Sequence, residues 1–210
     1  MTAADIVNGH TTATLYEAAQ SIEPGLAKVC DPGLRPVWPG ARVAAPAYTV
    51  RGRAGDNLAL HNAVLQAPAG CVLVVDLQGG AHGHWGEILA VAAQHRGITG
   101  LVVDGGIRDS HELAELAFPV FARMVTVIGT TKNYPGDFAV PVRVGDVTIT
   151  PHDVVVADAD SVIAVPADRV AEVAAKADRR TADERDIVAR LRCGASTIDI
   201  YRLDAKRQPR

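Results

Sequence analysis

Two short apolar runs of strand length constrain the fold more than any other feature of the sequence. Residues 71–76 and 100–104 are almost unbroken in Val and Leu until each run reaches an Asp. Such runs are typical of strands that are covered on both faces of a parallel sheet. Between them, residues 87–96 place apolar side chains at helical spacing, and Gly97 stands where a left-handed C-terminal cap is expected. The order strand, helix, strand predicts a βαβ unit and an α/β fold.

The rest of the chain extends this pattern. Asp56 is placed to cap a helix over residues 57–65, and Asp109 or Ser110 to cap a short one that ends at Leu116. From residue 140 onward, short β runs predict a small mixed or antiparallel layer. A helical tail is predicted from about residue 166 to residue 210, with a break near Arg180 and Thr181. The predicted extended segments are residues 41–50, 71–76, 100–104, 119–122, 125–128, 142–144, 147–149, 154–157 and 161–165.

Composition limits the class of protein. With 210 residues, of which 48% are hydrophobic, the chain can bury the core of one domain, predicted over residues 1–210. A formal charge of −3, from 21 basic and 24 acidic residues, provides no positive field for nucleic acid or an anionic membrane. The three cysteines lack CxxC spacing, which favours a reducing cytoplasm over a disulfide framework. Residues 1–10 carry no signal-peptide pattern, and no apolar run approaches the ~20 residues that span a bilayer. We therefore expect a cytoplasmic protein that binds small molecules or copies of itself.

A glycine-rich loop at residues 79–86 separates the first apolar run from the following helix. Its backbone N–H groups, including those near Gly83 and Gly86, could hold a carboxylate or phosphate at the helix N-terminus, or the loop could be a plain tight turn. The spacing matches neither GxGxxG nor a P-loop, which disfavours nucleotides. His82 and His84 form an HxH pair that could ligate zinc or iron. Without a third ligand nearby, they are more often pocket or loop residues.

Arg108 and Asp109 follow the second apolar run directly. Because the carboxyl ends of parallel strands meet at one edge of a sheet, Asp109 could approach Glu87 at the start of the preceding helix. One direct carboxylate with water molecules and a second carboxylate nearby suits Mg²⁺. The alternative is that each carboxylate only caps a helix N-terminus.

Two further residues are weaker candidates. Glu184 could be catalytic, but residues 181–184 also fit a capping box, in which Glu184 reaches back to a backbone N–H. Lys132 could form a Schiff base at a strand end, although a single lysine on a loop is more often solvated.

The most specific pattern in the sequence consists of Trp85-Gly86-Glu87, Gly97, Gly100, Asp104-Gly105 and Arg108-Asp109. In this pattern the chain resembles the class II pyruvate aldolases that act on 4-hydroxy-4-methyl-2-oxoglutarate and 4-carboxy-4-hydroxy-2-oxoadipate. Their fold is shared with the regulator of ribonuclease E activity A. Weaker similarity extends over most of the chain.

The resemblance implies a three-layer swivelling α/β/α fold, like that of phosphohistidine domains, with a helical C-terminal tail. It implies that Asp109 binds a divalent metal, Mg²⁺ or else Mn²⁺ or another ion, while Glu87 and Glu184 of a neighbouring subunit act through water. It implies a homotrimer or homohexamer with active sites between subunits. By the same resemblance Arg108 contacts the keto oxygen and the enolate. The substrate-binding residues that it implies are Gly83, Trp85, Gly86, Glu87, Ile88 and Arg108.

The predicted function is therefore metal-dependent retro-aldol cleavage of a 4-hydroxy-2-oxo di- or tricarboxylic acid, which releases pyruvate. Oxaloacetate decarboxylation is expected as a side activity, because it passes through the same enolate. The alternative is a non-catalytic regulator that binds a ribonuclease or a helicase. Regulators of that kind typically lack the carboxylate after the Arg, so Asp109 favours the enzyme.

Overall fold

The computed structural model describes residues 7–203. Six helices and eleven strands lie in this part of the chain, together with a short 3-10 turn at Ala167–Arg169. The helices are α1 (Thr12–Ile22), α2 (Leu58–Gln66), α3 (Glu87–His95), α4 (Ser110–Glu115), α5 (Val170–Arg192) and α6 (Thr197–Ile200). The strands are β1 (Lys28–Val29), β2 (Arg35–Pro36), β3 (Val43–Arg51), β4 (Val72–Gly80), β5 (Gly100–Ile107), β6 (Val120–Val125), β7 (Asp137–Phe138), β8 (Val142–Val144), β9 (Val147–Ile149), β10 (Asp153–Ala157) and β11 (Val162–Pro166).

A nine-stranded sheet organises the fold. Eight of its strands follow the order β1-β11-β10-β3-β4-β5-β6-β2, and the ninth, β7, also pairs with β3. The central strands β3, β4, β5 and β6 are parallel, and each is joined to the next by one of the helices α2, α3 and α4. The flanking strands β1, β2, β7, β10 and β11 pair antiparallel. The carboxyl ends of four parallel strands therefore meet at one edge, where α/β proteins bind ligands.

Three buried clusters hold the layers together. The first lies between the parallel strands and helices α2–α4 and includes Leu73, Leu101 and Trp85. The second lies on the other face of the same strands, where Val74 and Val102 meet the two-stranded sheet β8-β9. The third joins β10 and β11 to helices α1 and α5. Adjacent residues of β4 and β5 thus pack in different clusters, which explains why their sequences are apolar without alternation.

The predicted fold class is confirmed: the chain is α/β, with a central parallel sheet, helices and a helical C-terminal tail. The β runs after residue 140 form two separate structures, since β8 and β9 make their own sheet whereas β10 and β11 join the main one. The extended segment predicted over residues 125–128 is wrong, because β6 ends at Val125. Helix α1 was not predicted.

The predicted break near Arg180 and Thr181 is also wrong. Helix α5 runs without interruption from Val170 to Arg192, so Thr181 lies in its interior and cannot form a capping box with Glu184. Instead the Glu184 carboxylate forms an ion pair with Arg180, with 2.9 Å between Nε and Oε1. Residues 204–210 of the predicted tail, and residues 1–6, lie outside the described part. No helix within residues 7–203 has the length and apolar character to cross a bilayer.

Candidate functional site

A small pocket opens at the carboxyl ends of the parallel strands. Its volume is about 150 Å³, below the ~300–1,000 Å³ typical of pockets for drug-sized ligands. Such a volume suits a small acid. The pocket is lined by Asn57, His61, Gly83, His84, Trp85, Gly86, Ile88, Leu89, Arg108, Asp109 and Lys132.

Arg108 and Asp109 lie together on one wall of this pocket. Asp109 adopts a left-handed conformation (φ 56°), which turns the chain from β5 into α4. Its Oδ2 accepts the backbone N–H of Glu87 (3.1 Å) and lies 3.6 Å from Arg108 Nε. The predicted approach of Asp109 to the start of the Glu87 helix is therefore confirmed. The helix that Asp109 caps is α3, across the pocket, whereas its own helix α4 receives no side-chain cap.

Glycines 83 and 86 make room for this pair. A Cβ built on Gly86 would lie 2.2 Å from Asp109 Oδ2 and 3.1 Å from Arg108 Cγ. A Cβ on Gly83 would lie 3.2 Å from Arg108 Cβ and Cδ. The arginine side chain therefore lies across the glycine loop. Gly86 has no side chain to cap α3 and Asp109 accepts only the Glu87 N–H, so the Ile88 and Leu89 N–H groups have no partner among the described residues. The free first-turn N–H groups of a helix favour an anion there.

The HxH pair does not form a metal site. His84 is completely buried, its Nε2 accepts the Gly55 N–H (3.0 Å), and its Nδ1 lies 3.1 Å from the Gly106 carbonyl oxygen. These partners fix the tautomer with a proton on Nδ1, and burial lowers the pKa of His84, so the ring is neutral. The His82 ring meets it edge-on, 5.7 Å away. In residues 7–203 no three His, Cys, Asp or Glu side chains form a cluster that could hold a metal.

Two buried polar atoms beside the pocket have no hydrogen-bond partner among the described residues. One is the acceptor Oδ1 of Asn57, whose side-chain amide donates to the His84 carbonyl (3.1 Å). The other is the indole N–H of Trp85, whose ring stacks on Phe118. Buried polar groups are almost always paired in native proteins, so each atom is available to a water molecule or a polar ligand.

Lys132 reaches the pocket from the segment between β6 and β7, and His61 reaches it from α2. Burial and the Lys132 charge lower the pKa of His61, so this ring is neutral around pH 7. Two cationic side chains, Arg108 and Lys132, thus line the pocket. Among the described residues Asp109 is the one carboxylate that lines it. The excess of positive charge favours an anionic ligand.

The remaining candidates lie elsewhere. The Glu87 side chain is exposed on the first turn of α3, so its backbone N–H, not its carboxylate, meets Asp109. Glu184 lines a different groove, between α1 and α5, together with Glu17 and Arg180. The Asp104 carboxylate binds Arg123 and the Gly145 N–H on the far face of β5, so it is structural in this chain.

Asp109 offers a suitable site for a hydrated cation. Among the described residues its Oδ1 accepts no hydrogen bond, while Oδ2 is held in place by the Glu87 N–H. Mg²⁺ is often bound by one or two carboxylates and keeps several water molecules, so a single carboxylate fits it. A zinc or iron centre with three protein ligands does not fit this donor set.

The sequence could have indicated more of the pocket. Asn57 and His61 follow β3, the next parallel strand, whose carboxyl end meets the same edge as those of β4 and β5. Asp56 was predicted only as a helix cap, and it does accept the Leu58 N–H (3.0 Å). Its other partners lie in the segment that carries Lys132, a long-range contact that no local spacing indicates.

Fold and pocket define an α/β protein with a small polar pocket outside the carboxyl ends of its parallel strands, the edge where α/β proteins bind ligands. The sequence profile of the RraA-like family (Aldolase/RraA) matches residues 12–164. The chain belongs to this family, and the resemblance drawn from Trp85-Gly86-Glu87 and Arg108-Asp109 is confirmed.

Relatives and solved structures agree with this membership. The chain is 37% identical over 152 residues, 72% of each chain, to a Halalkalibacterium halodurans protein named "Putative 4-hydroxy-4-methyl-2-oxoglutarate aldolase". An uncharacterized protein from Pseudomonas syringae pv. tomato superposes with a TM-score of 0.82 at 29% identity, over 92% of this chain and 90% of that one. The RNA-processing inhibitor RraA from Thermus thermophilis superposes with a TM-score of 0.65 at 27% identity, over 75% of this chain and 94% of that one.

Proposed function

We propose that the chain is a divalent-metal-dependent pyruvate aldolase. It would cleave a 4-hydroxy-2-oxo di- or tricarboxylic acid to release pyruvate, and it would decarboxylate oxaloacetate as a side activity. The observation that carries the proposal is the Arg108–Asp109 pair, which lies in a small pocket at the open N-terminus of α3. The relative named as an aldolase supports the same activity.

The 2-oxo acid would bind with its C1 carboxylate at the N-terminus of α3, where Gly86, Ile88 and Leu89 line the pocket. First-turn N–H groups and the helix dipole stabilise a carboxylate at that position. Trp85, whose N–H has no partner among the described residues, lines the same wall. This orientation directs the C2 keto oxygen toward Arg108.

Asp109 is the residue that would hold Mg²⁺, or Mn²⁺ or another divalent ion, with Glu87 and a Glu184 from a neighbouring copy acting through water. When bound, the ion supplies Lewis-acid polarisation of the C2 carbonyl and positive charge beside the developing enolate.

The chain's own side chains then move the proton and stabilise the charge. Loss of the C4 hydroxyl proton allows C4–O to become a carbonyl while the C3–C4 bond breaks, and the bond pair passes to C3 and C2 as pyruvate enolate. The Arg108 guanidinium stabilises the enolate oxygen. A water held by Glu87 and by Glu184 of a neighbouring copy would pass the hydroxyl proton to one of these carboxylates, and the return of one proton to C3 would give pyruvate.

A second copy of the chain would complete the site. Large apolar side chains are exposed on α3 (Ile88, 75% exposed, and Val91), at the end of β6 (Val125) and just after it (Val127, 88% exposed, and Ile128). Both segments border the pocket, since Ile88 lines it and the Gly83 N–H donates to the Ile128 carbonyl (2.7 Å). Exposed apolar clusters of this kind mark protein interfaces. We therefore propose a homotrimer or homohexamer in which the α5 of one copy brings Glu184 to the pocket of another.

A dehydrogenase-coupled pyruvate assay tests the proposed activity. The substrates are 4-hydroxy-4-methyl-2-oxoglutarate, 4-carboxy-4-hydroxy-2-oxoadipate and oxaloacetate, each with Mg²⁺ and with EDTA. We expect turnover that EDTA abolishes and that Mg²⁺ restores. No metal-dependent turnover on any of the three would refute the aldolase and favour the regulator of a ribonuclease. Turnover that survives EDTA but is trapped by borohydride would instead assign the chemistry to a Lys132 Schiff base.

Lys132→Ala should weaken binding of the second substrate carboxylate, because Lys132 is the pocket cation that is not paired with Asp109. We expect KM for 4-hydroxy-4-methyl-2-oxoglutarate to rise about tenfold or more, the loss typical of one charge-assisted hydrogen bond. Steady-state kinetics would measure it, with Arg143→Ala, an exposed cation of β8 away from the pocket, as the matched control. An unchanged KM would remove Lys132 from the substrate site.

Gly86→Ala should displace the Asp109 carboxylate, because the new Cβ would lie 2.2 Å from Oδ2. The backbone itself would not be strained, since Gly86 is extended (φ −165°, ψ −167°). We expect affinity for Mn²⁺, measured by calorimetry, to fall about 10- to 100-fold, as when a metal ligand loses its support. Gly129→Ala is the matched control, because nothing lies within 4 Å of its Cβ. Equal affinities of the two variants would contradict the placement of the metal at Asp109.

A further inference from the structure

We propose that Asp56 is a positioning residue: its buried carboxylate holds residues 131–134 so that Lys132 stays in the pocket. This inference rests on the proposed function, because it assigns a role to the residue that supports the substrate-binding Lys132. Asp56 is 4% exposed and does not line the pocket itself.

The Asp56 carboxylate is bound from both sides of Lys132. Its Oδ2 accepts the Thr131 hydroxyl (2.5 Å) and the Asn133 N–H (2.6 Å), and its Oδ1 accepts the Tyr134 N–H (3.2 Å). The remaining hydrogen bond comes from the Leu58 N–H (3.0 Å). A carboxylate that only capped α2 would need only the hydrogen bond from the Leu58 N–H. Three of the four go to the segment around Lys132, so capping does not account for the arrangement.

Lys132 depends on this anchor because its own side chain is not fixed by an ion pair. Among residues 7–203 no carboxylate oxygen lies within 4.0 Å of its Nζ. The backbone of residues 131–134 therefore determines from which point the Lys132 side chain reaches toward the pocket. Besides the bonds to Asp56, two backbone hydrogen bonds attach this segment to the α2 side of the pocket. The Asn57 N–H donates to the Thr131 carbonyl (3.0 Å), and the Thr131 N–H donates to the Gly55 carbonyl (2.8 Å).

The charge of Asp56 is stable across the pH range of enzyme assays. Burial alone would raise the pKa of this carboxyl, but hydrogen bonds from Thr131, Asn133, Leu58 and Tyr134 hold it at about 2. An asparagine has nearly the same volume but offers one acceptor oxygen, and its NH₂ group would face N–H donors. Asp56→Asn therefore breaks one side of the anchor, while the two backbone bonds at Thr131 keep the segment attached near residue 131.

The first test compares Asp56→Asn with Asp146→Asn, an exposed aspartate in the turn between β8 and β9. We expect KM for 4-hydroxy-4-methyl-2-oxoglutarate to rise about tenfold in Asp56→Asn, as in Lys132→Ala. We expect a smaller rise in KM for pyruvate in methyl-proton exchange, because pyruvate has no second carboxylate. Equal rises for both substrates would indicate general damage and overturn the inference.

The double variant Asp56→Asn/Lys132→Ala separates positioning from damage. If Asp56 acts through Lys132, the double variant should have the KM of Lys132→Ala alone, since the two changes remove the same contact. Additive effects would overturn the inference. If instead Lys132→Ala leaves KM unchanged, the assigned role of Lys132 in the proposed function fails, and the inference fails with it.

Hydrogen exchange gives a readout that does not depend on turnover. Asp56→Asn should speed amide exchange in residues 131–134 without changing residues 87–95 of α3, because the anchor is local. Unchanged exchange at residues 131–134 would overturn the inference even if KM rises. Faster exchange in a protein that cleaves none of the substrates would refute the proposed function while confirming that Asp56 holds the segment.

Discussion

Asp109→Asn is expected to lower kcat for pyruvate release by about 10³-fold or more, because the variant loses the carboxylate charge that would hold the metal. The substitution preserves size, and Asn adopts the left-handed conformation found at Asp109 (φ 56°) more readily than most residues other than glycine. Its amide oxygen can still accept the Glu87 N–H that now reaches Oδ2. The variant should therefore fold and keep its oligomeric state, which circular dichroism and light scattering would measure beside the kinetics.

Asp146→Asn is the matched control for this experiment. Asp146 is also left-handed (φ 66°), but it lies in the turn between β8 and β9 and pairs with Arg143. It should keep the wild-type kcat. Loss of folding in Asp109→Asn would mean that the carboxylate serves α3 as a structural cap. Wild-type kcat in a folded Asp109→Asn would exclude Asp109 as the metal ligand.

Local sequence patterns predicted the part of the molecule that carries the Arg108–Asp109 pair. The unbroken apolar runs predicted that β4 and β5 are buried on both faces, and they are. Gly97 was predicted to cap α3, and it has the positive φ (76°) of such a cap. Because parallel strands end at one edge, the closeness of Asp109 to the N-terminus of α3 followed from topology alone. These features depend on spacing over a few residues and on one rule of chain connectivity.

The parts that were mispredicted depend on contacts between distant segments. Thr181 has the spacing of a helix cap, but the first half of α5 is buried against α1 and the sheet, and the helix continues through it. Lys132 appears in the sequence as an ordinary loop lysine. It lines the pocket because Asp56, 76 positions earlier than Lys132, binds the residues on either side of it. No periodicity encodes such a contact.

The two cations of the pocket, Arg108 and Lys132, lie on different segments, and we assign them different roles. Arg108 packs against Gly83 and Gly86 and lies 3.6 Å from Asp109, so it is fixed beside the atoms that would react. Lys132 enters from a segment anchored on the α2 side. In the proposed function the first cation stabilises the enolate and the second selects the substrate. Variants of the two residues should therefore differ in which kinetic constant they change.

Arg108→Lys is expected to lower kcat by about 10²- to 10³-fold, the loss typical when one donor to a developing oxyanion is removed. The charge is retained, but a lysine lacks the planar fork of the guanidinium and cannot lie across the glycine loop as Arg108 does at Gly83 and Gly86. KM should change much less than in Lys132→Ala. Steady-state cleavage and the rate of pyruvate methyl-proton exchange, followed by NMR, would both report the loss, since both reactions pass through the enolate.

Arg143→Lys, at an exposed arginine of β8 that pairs with Asp146, is the matched control and should keep the wild-type constants. If Arg108→Lys lowered cleavage but not proton exchange, Arg108 would act in C3–C4 bond breaking without stabilising the enolate. If it raised KM and left kcat unchanged, Arg108 would be a binding residue, and enolate stabilisation would have to come from the metal held by Asp109 alone.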